Sequence, residues 1–339
     1  MILISGATGF LGTHLLKKLC NVDGLPVRAL YRSENKKTYT LDFLNLFCSE
    51  LGKVNISKIE WIKADILDIP ELDLAFKDVK YVYHCAAWVG NSPNQSKMMR
   101  KVNIEGTANM VNMALAHKVI KFCHVSSIAT LGVKINSNKV DENAPRESER
   151  FSSIYSISKY GAETEAWRAS QEGLDVVIVN PGVILGAGFL DSASGQIFKR
   201  VLNNFKFYIK KKTGFVYVDD VVDFMLKIMQ SSIKNERYIL TAENLSFKHV
   251  MDSIADIFQK KKPYIKATKL MLYIIWFFQQ IKSLFRPLDF QITLNAIKRN
   301  NSKIEYQNEK SKKALKFEYT PIKTAIKLIY KDHQLLQNQ

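Results

Sequence analysis

Short apolar runs alternate with helical patterns through the first 180 residues of the chain. Six runs predict strands, at 1–5, 27–31, 59–63, 80–85, 120–125 and 174–180. Between them, apolar residues recur at helical spacing and predict helices at Phe10–Cys20, Thr38–Leu51, Lys97–His117 and Tyr155–Glu172. Strands that are apolar throughout, each followed by a helix, are typical of a parallel sheet covered on both faces. The pattern therefore predicts an α/β fold with a doubly wound parallel sheet, the Rossmann architecture.

This alternation stops after Pro181. Residues 183–213 have the pattern of loop and helix, 214–232 again fit a strand followed by a helix, and the remainder is mainly helical. We expect a first domain at 1–182, to which 214–232 return. We expect 183–213 and 233–339 to form a smaller, mostly helical C-terminal lobe.

A glycine-rich turn follows the first strand and leads into the first helix. Its residues are Gly6, Ala7, Thr8, Gly9, Phe10, Leu11 and Gly12. Glycines here permit a tight turn, close approach of a pyrophosphate and close packing of the helix on the sheet. The helix N-terminus adds N–H donors and a partial positive charge. The turn predicts a dinucleotide site in the first domain, and we expect Gly6, Thr8, Gly9, Phe10, Leu11 and Gly12 to contact the cofactor.

The end of the second strand bears on which dinucleotide is bound. An acidic residue commonly stands there in NAD-binding sheets, whereas this chain has Tyr31 and Arg32. A guanidinium suits the 2′-phosphate of NADP, and Lys36 or Lys37 would add a second cation. We therefore predict NADP, with NAD as the alternative if Arg32 is an ordinary solvated charge.

Tyr155 and Lys159 are four residues apart at the start of a predicted helix and so share one face. A nearby ammonium favours the phenolate and lowers the tyrosine pKa towards the working pH. Ser126 and Ser127 follow the fifth predicted strand, at the carboxyl edge where ligands of open α/β sheets bind. A hydroxyl at this edge can hold a substrate carbonyl beside the tyrosine. These residues predict acid–base chemistry on a carbonyl or an alcohol.

Taken together, these motifs resemble an extended short-chain dehydrogenase/reductase of the NAD-dependent epimerase/dehydratase superfamily. The similarity is greatest to the dihydroflavonol-reductase and 3β-hydroxysteroid-dehydrogenase-like branch. The matching segments lie between residue 2 and about residue 223. They are ISGATGFLG, VRALYRS, Asp65-Ile66, His84-Cys85-Ala86-Ala87, Val102-Asn103-Ile104-Glu105-Gly106-Thr107, VSSIATLG, YSISK, NPGVILG and YVDDVV.

The resemblance implies a catalytic triad of Ser127, Tyr155 and Lys159, with Ser127 chosen over Ser126 because it lies five residues before Gly132. We expect the glycine turn, Arg32, Tyr155 and Lys159 to contact the cofactor, and the resemblance implies further contacts. The added contacts are Asp65 and Ile66 beside the adenine, Ala86 and Ala87 after the fourth strand, Asn103 bracing the site, and Pro181 and Gly182 over the nicotinamide. The C-terminal lobe would bind the substrate. A homodimer through the Lys97–His117 and Tyr155–Glu172 helices would be usual for the family.

The leading functional prediction is an NADP-dependent oxidoreductase that reversibly reduces a ketone or aldehyde of a fairly apolar small molecule. Two alternatives stay open, a nucleotide-sugar epimerase with retained NAD and an inactive cofactor-binding protein of the same fold. Sugar dehydratases of the family carry an acidic pair after the catalytic Ser or Thr. This chain has Ile128 and Ala129 there, which argues against dehydration.

The charge is concentrated at the C-terminal end. Lys and Arg outnumber Asp and Glu by 49 to 32, a net charge of +17, and residues 260–339 hold 17 basic against 5 acidic residues. Two basic segments stand out, Lys206–Lys212 and Lys269–Arg286. The first could contact an acidic group such as a nucleotide-sugar diphosphate, or be a solvated edge of the lobe. The second has three interpretations, namely a core or cap helix over an apolar substrate, an amphipathic helix on an anionic membrane, and a partner-binding helix. We expect no nucleic-acid partner, because no known binding module accompanies the charge.

The cysteines bear on the compartment. Cys20, Cys48, Cys85 and Cys123 show neither paired nor metal-ligand spacing, which predicts free thiols and no bound metal. The chain begins with no pattern of a signal peptide. We expect a cytoplasmic protein, with membrane association through 269–286 as the open alternative.

Overall fold

A computed structural model describes residues 1–20, 25–49, 56–90, 95–132, 137–145, 153–285, 294, 297 and 302–337. Seven parallel strands form the main sheet, in the spatial order β3-β2-β1-β4-β5-β7-β11. They are β1 Ile2–Ser5, β2 Val27–Tyr31, β3 Ile59–Lys63, β4 Tyr81–His84, β5 Lys121–Val125, β7 Asp175–Pro181 and β11 Glu236–Leu240. The predicted α/β class and the doubly wound parallel sheet are confirmed.

Helices cover both faces of this sheet, and shorter elements follow in the C-terminal half. The helices are α1 Phe10–Cys20, α2 Glu34–Ser49, α3 Ile69–Ala75, α4 Ser96–Arg100, α5 Gly106–Ala116, α6 Ile154–Gln171, α7 Gly195–Leu202, α8 Val218–Gln230, α9 Phe247–Ile257, α10 Lys269–Phe285, and two further helices at Glu309–Leu315 and Ile322–Gln337. The short strands are β6 Lys139–Val140, β8 Val183–Leu185, β9 Phe207–Tyr208, β10 Lys212–Tyr217, β12 Glu243–Ser246, β13 Ile265–Lys266 and β14 Glu305–Tyr306.

Two hydrophobic cores lie on opposite faces of the main sheet. Alternate residues of a strand point to opposite faces, so Cys123 and Val125 of β5 join one core and Phe122 joins the other. The first core contains buried side chains of α1 and α8 and extends to the C-terminal helix Ile322–Gln337. The second contains buried side chains of α3, α5 and α6. The sheet therefore holds a buried layer of helices on each side.

The predicted elements of the first domain are present, with shifted ends. The second helix runs over Glu34–Ser49 instead of Thr38–Leu51, and Leu51 lies outside the described residues. The third predicted helix is continuous but contains a π-helical turn at Lys101–Glu105 between α4 and α5. The sequence pattern does not reveal this turn, because a single turn of five residues is too short for apolar spacing to distinguish i→i+5 from i→i+4 hydrogen bonding.

The main sheet differs from expectation at its β11 edge. Sequence analysis placed Glu236–Leu240 in the C-terminal lobe, but this segment pairs in parallel with β7 as the seventh strand. Conversely, β10 lies in a separate three-stranded sheet between β8 and β12, and only the following helix α8 packs against the main sheet. The domain boundaries remain a prediction. After β7 the chain leaves the main sheet and returns to it twice, first with α8 and then with β11.

The C-terminal half also contains two small ribbons. Strand β13 pairs in parallel with β9, and β14 pairs in parallel with β6. None of the described helices is long and apolar enough to cross a membrane. Cys20, Cys85 and Cys123 are free thiols, and the side chain of Cys48 lies outside the described residues.

Candidate active site

The glycine turn is shaped by close backbone contacts. Gly6 has a left-handed φ of 68°, and a Cβ on it would lie 2.6 Å from the amide nitrogen of Ala86. A Cβ on Gly12 would lie 2.2 Å from the carbonyl oxygen of Gly6. Side chains at these two positions would therefore separate the turn from β4 and from α1. The loops after β1 and β4 are held side by side, as a shared cofactor site would require.

Gly9 is different, because it faces outward at the start of α1. It is exposed, and a Cβ there would meet only the carbonyl oxygen of Gly6, at 3.2 Å. The first turn of a helix has backbone N–H groups without intrahelical acceptors. The open space beside Gly9 is thus a cradle for an anionic group, with Thr8, Phe10 and Leu11 around it.

At the end of β2, Arg32 contacts Asp65 from the loop after β3. The guanidinium Nη1 donates to Asp65 Oδ2 over 3.2 Å, and both side chains are substantially exposed. Lys37 lies 4.5 Å above the Tyr31 ring and 3.7 Å from Glu34. Two cations therefore stand near the expected ribose position, together with the acidic Glu34, whose carboxylate accepts from the Tyr31 hydroxyl over 2.8 Å.

The loop after β4 is fixed by Asn103, which the π turn carries. The Asn103 side chain accepts from the Trp88 amide over 2.6 Å and donates to the Trp88 carbonyl over 3.0 Å and to Ser158 Oγ over 2.9 Å. Asn103 is buried and ties Ala86, Ala87 and Trp88 to α6. Its amide is engaged with protein groups and braces the loop, and its contact with the cofactor stays a prediction.

Ile66 and Gly182 are fixed by packing. Ile66 is buried against Gly106 of α5, where a Cβ would come within 2.6 Å of the Ile66 side chain. Gly182 donates its amide to Leu240 over 2.9 Å, and a Cβ on it would lie 2.5 Å from the Gly214 carbonyl oxygen. Pro181, the last residue of β7, is buried beside it. Both Ile66 and Gly182 follow a strand of the main sheet at its carboxyl edge.

Ser127 and Tyr155 meet at this same edge. The Ser127 hydroxyl lies near enough to the Tyr155 phenol to lower its pKa. Ser127 also caps a short 3-10 turn at Ile128–Thr130 by accepting from the Ala129 amide over 3.1 Å. The lowering of the Tyr155 pKa expected from Lys159 is not what the structure shows: burial raises this pKa above its ordinary value, and the neighbouring Ser127 hydroxyl opposes the shift. Tyr155 is therefore a protonated phenol at neutral pH, in contact with a second hydroxyl.

Lys159 lies one helical turn beyond Tyr155 and is almost fully buried. Its side chain is 3% exposed, and Nζ donates to the Val125 carbonyl oxygen over 2.5 Å. Burial lowers the pKa of Lys159 to about 8, while Cys85 and Glu163 act in the opposite direction. The structure thus brings together the three residues of the predicted triad, Ser127, Tyr155 and Lys159.

Behind the triad, Glu163 organises a buried polar network that sequence analysis did not predict. Its Oε2 accepts from Ser126 Oγ over 2.6 Å, from Thr130 Oγ1 over 3.0 Å and from Asn180 Nδ2 over 3.0 Å. Its Oε1 is 2.9 Å from Arg237 Nη1, which β11 supplies. The network holds the loop that carries Ser127 from two directions. The available signal was the spacing of Glu163, four residues after Lys159 and so on the same helix face.

Two buried histidines lie under Lys159 on adjacent strands. His84 Nδ1 is 2.6 Å from Ser5 Oγ and its Nε2 is 2.9 Å from Thr107 Oγ1. Burial lowers the pKa of His84 to about 3 and that of His124 well below its ordinary value, and Lys159 lowers both further. Both imidazoles are therefore neutral and do not compete with Lys159 for charge, and His84 ties β4 to Thr107 of α5.

The geometry of the turn fits a dinucleotide. The cradle at Gly9, the cations Arg32 and Lys37 and the polar pair Ser127 and Tyr155 follow successive strands along one carboxyl edge. Among the described residues, no group of acidic, His or Cys side chains is placed to hold a metal ion. The arrangement can bind an anionic dinucleotide and carry out proton transfer beside it.

Comparison with known proteins agrees with this geometry. Residues 2–240 match the sequence model of the NAD dependent epimerase/dehydratase family. The chain is 28% identical over 260 residues to a putative dihydroflavonol 4-reductase of Synechocystis sp., covering 75% of this chain and 71% of that protein. It is 26% identical over 288 residues to cinnamoyl-CoA reductase 2 of Medicago truncatula, covering 79% and 82%.

Solved structures share the fold along the whole chain. The crystal structure of gox2253 superposes with a TM-score of 0.79 at 27% identity and covers 98% of both chains. A UDP-glucose 4-epimerase of Thermotoga maritima, solved with UDP-glucose, superposes with a TM-score of 0.74 at 18% identity and covers 100% of this chain and 99% of its own. The second likeness concerns the fold alone. The chain belongs to the NAD-dependent epimerase/dehydratase family and is an NAD(P)-dependent enzyme of the extended short-chain dehydrogenase/reductase type.

Proposed function

We propose that this protein is an NADP-dependent reductase of a ketone or aldehyde group on a fairly apolar small molecule, acting reversibly. The observation that carries the proposal is the contact between Ser127 and Tyr155, one helical turn from the buried Lys159. These groups lie at the sheet edge where the glycine turn would hold the dinucleotide. The relatives named as reductases support this reaction class.

In this mechanism Tyr155 is the general acid. When bound, the reduced nicotinamide supplies the hydride that the carbonyl carbon accepts. Tyr155 donates its phenolic proton to the carbonyl oxygen, and the Ser127 hydroxyl donates a hydrogen bond to the same oxygen. The raised pKa of Tyr155 keeps its proton in place until the oxygen gains charge. The products are the alcohol and the tyrosine phenolate, which regains a proton from solvent.

Lys159 favours this proton transfer electrostatically. Its ammonium, one turn from Tyr155, stabilises the phenolate that forms when the proton leaves. The Lys159 pKa of about 8 means that this charge is present at neutral pH and is lost as the pH rises through 8 to 9. We therefore expect the rate of carbonyl reduction to fall over that range.

Substitution of Tyr155 tests the mechanism. Tyr155→Phe removes the proton donor but preserves the ring, so kcat for carbonyl reduction should fall by roughly a thousandfold. Tyr160→Phe, at the next tyrosine of α6, is the matched control and should keep most of its activity. The assay follows NADPH consumption with a panel of aromatic and aliphatic ketones and aldehydes. Full turnover by Tyr155→Phe would remove this mechanism.

Arg32 tests the choice of cofactor. Loss of a charged hydrogen bond to the 2′-phosphate costs about 2 kcal/mol, so Arg32→Asp should raise the Kd for NADPH by roughly thirtyfold and change that for NADH little. Arg100→Asp, an exposed arginine of α4, carries the same charge change as a control. An unchanged preference in Arg32→Asp would favour NAD, with Glu34 as the acidic residue available to the ribose.

A nucleotide-sugar epimerase is the second candidate, favoured by the 27% identity to the UDP-glucose 4-epimerase of Vibrio cholerae over 237 residues. An epimerase would retain dinucleotide through purification and show no net NADPH consumption with any carbonyl compound. Bound dinucleotide with neither carbonyl reduction nor epimerisation would instead indicate a protein that only binds the cofactor. The homodimer stays a prediction, and sedimentation would measure it.

A further inference from the structure

Helix α10 carries an apolar face that points away from the protein. Five large apolar residues recur at the spacing of one helical face and are all exposed. They are Leu270 at 70%, Ile274 at 49%, Phe277 at 57%, Phe278 at 59% and Ile281 at 41% of their full accessible surface. A helix of a folded domain normally turns such a face inward. The structure therefore contradicts a core helix at this segment, and a cap over an apolar substrate stays a prediction.

The charge around this face has one sign. Between Ile257 and Leu288 the sequence has no acidic residue, and exposed lysines lie before the helix and near its end. These lysines are Lys260, Lys261, Lys262, Lys266, Lys269 and Lys282. Lys262 forms an ion pair with Asp256 over 2.7 Å. The other five add to the positive potential along the helix.

The second basic segment lies beside the first. Strand β9 pairs with β13, so Phe207 lies opposite Ile265, and the Tyr264 and Ile265 amides donate to the Lys206 carbonyl over 2.9 and 2.8 Å. Two exposed aromatic side chains, Phe205 at 41% and Tyr264 at 66%, stand on this ribbon next to the exposed Lys206. The ribbon thus joins two segments 58 positions apart, and two residues separate β13 from α10. We call the surface made of β9, β13 and α10 the basic apolar face.

The lysines and the apolar side chains of the basic apolar face together indicate which kind of partner would bind there. A second copy of this chain would bring the same excess of lysines against the first, and like charges oppose that contact. An anionic bilayer offers both complements, a negative surface for lysines and an acyl boundary for Phe, Leu and Ile side chains. Because none of the described helices, α10 included, is long and apolar enough to cross a membrane, α10 would lie in the plane of the interface.

We propose that the basic apolar face docks this protein on an anionic membrane surface, with the apolar side of α10 inserted at the headgroup boundary. The lysines of β13 and α10 would contact lipid phosphates, and Phe205 and Tyr264 would lie at the interface. This proposal does not rest on the proposed reductase activity. It gives the two basic segments of the sequence a common partner.

Vesicle co-sedimentation of the full chain tests the proposal. We expect binding to vesicles of phosphatidylcholine with phosphatidylglycerol and at least tenfold weaker binding to phosphatidylcholine alone. High salt should release the protein, because screening shortens the reach of exposed charges to a few ångströms at about 1 M. Equal binding to both vesicles, or no binding to either, would overturn the proposal.

Two variants with matched controls separate the charge from the apolar contribution. Lys266→Glu with Lys269→Glu should weaken binding at least tenfold, since each lysine near an anionic surface contributes about 1 kcal/mol. Lys323→Glu with Lys331→Glu makes the same change in net charge on the helix Ile322–Gln337 and should have little effect. Phe277→Asp with Phe278→Asp should abolish binding, whereas Leu328→Asp, also exposed, should not.

Folding and self-association are checked with the same samples. All variants replace exposed side chains, so their thermal melting curves and NADPH titrations should match the wild type. A wild-type dimer that Phe277→Asp converts to a monomer, without vesicle binding, would assign the face to a second copy and overturn the membrane proposal. Tyr155→Phe should bind vesicles normally, so a failed reductase assay and a failed membrane assay are distinguishable.

Discussion

Helices α1 and α10 have similar amphipathic patterns and opposite surroundings. In α1, Leu15 and Leu16 are fully buried against the main sheet, next to the glycine turn that starts the helix. In α10, the equivalent apolar face is exposed, with Leu270 at 70%. Periodicity identifies which residues share a face in both helices. The comparison teaches that it cannot identify what covers that face, because this depends on the rest of the fold.

The surroundings of the active site and residues 260–339 also differ in how their charged side chains are placed. Around the active site, charged groups are buried and paired, as in the contact of Glu163 with Arg237. The region up to residue 259 is nearly balanced, with 32 basic and 27 acidic residues. In residues 260–339 the excess is larger, and the lysines around α10 lie in solvent. Paired buried charges fix geometry at a site, whereas exposed charges of one sign act on a partner at a distance.

The largest expected effect is on the free energy of unfolding, which a substitution in α1 should change much more than the same substitution in α10. Leu15→Ala should lower the free energy of unfolding by about 3 kcal/mol, because it removes a fully buried side chain and leaves a cavity. Leu270→Ala, the same change at an exposed site, should shift it by less than about 0.5 kcal/mol. Urea denaturation followed by circular dichroism measures both. Similar losses in the two variants would show that α10 is packed in solution and would remove the contrast.

A smaller effect is expected in the pH dependence of the unfolding free energy, which should differ between a buried and an exposed lysine. The folded-state pKa of Lys159, about 8, lies below its ordinary value of 10.5, so the unfolded chain binds more protons between these pH values. Unfolding free energy therefore rises with pH across this window. Relative to Lys159→Met, the wild type should gain roughly 2 to 3 kcal/mol between pH 7 and pH 10.

The control for this measurement is an exposed lysine. Lys269→Met should differ from the wild type by an amount that stays constant across the same pH range, because its ammonium remains in water. Urea midpoints at several pH values give both differences. A flat difference for Lys159→Met would show that the Lys159 ammonium is solvated in the folded protein.

Much of the region that carries the glycine turn and the triad could be predicted from the sequence. The strand and helix pattern, the glycine turn and the YSISK segment lie close in sequence to the structures they form, and local spacing reveals them. The meeting of Ser127 with Tyr155 followed from placing each at the carboxyl edge of one sheet. Local pattern and fold agree here because each strand and its helix pack as neighbours.

Contacts between distant segments could not be predicted in this way. Arg237 reaches Glu163 from a strand that joins the sheet after a long excursion, and nothing in its local sequence indicates that partner. The pairing of β9 with β13 joins segments 58 positions apart through only two residues each. The π turn that carries Asn103 spans only five residues, too few for apolar spacing to reveal it. Each depends on tertiary placement.

The position of β11 has a consequence for synthesis of the chain. Strand β7 is an outer strand of the sheet until Glu236–Leu240 arrives, and the residues between them form β8, α7, β9, β10 and α8. A nascent chain released only to Pro181 would carry the whole triad on a sheet with an uncovered edge, open to pairing with another chain. The main sheet therefore reaches its full width only after Leu240 has been synthesised, well after the residues of the triad.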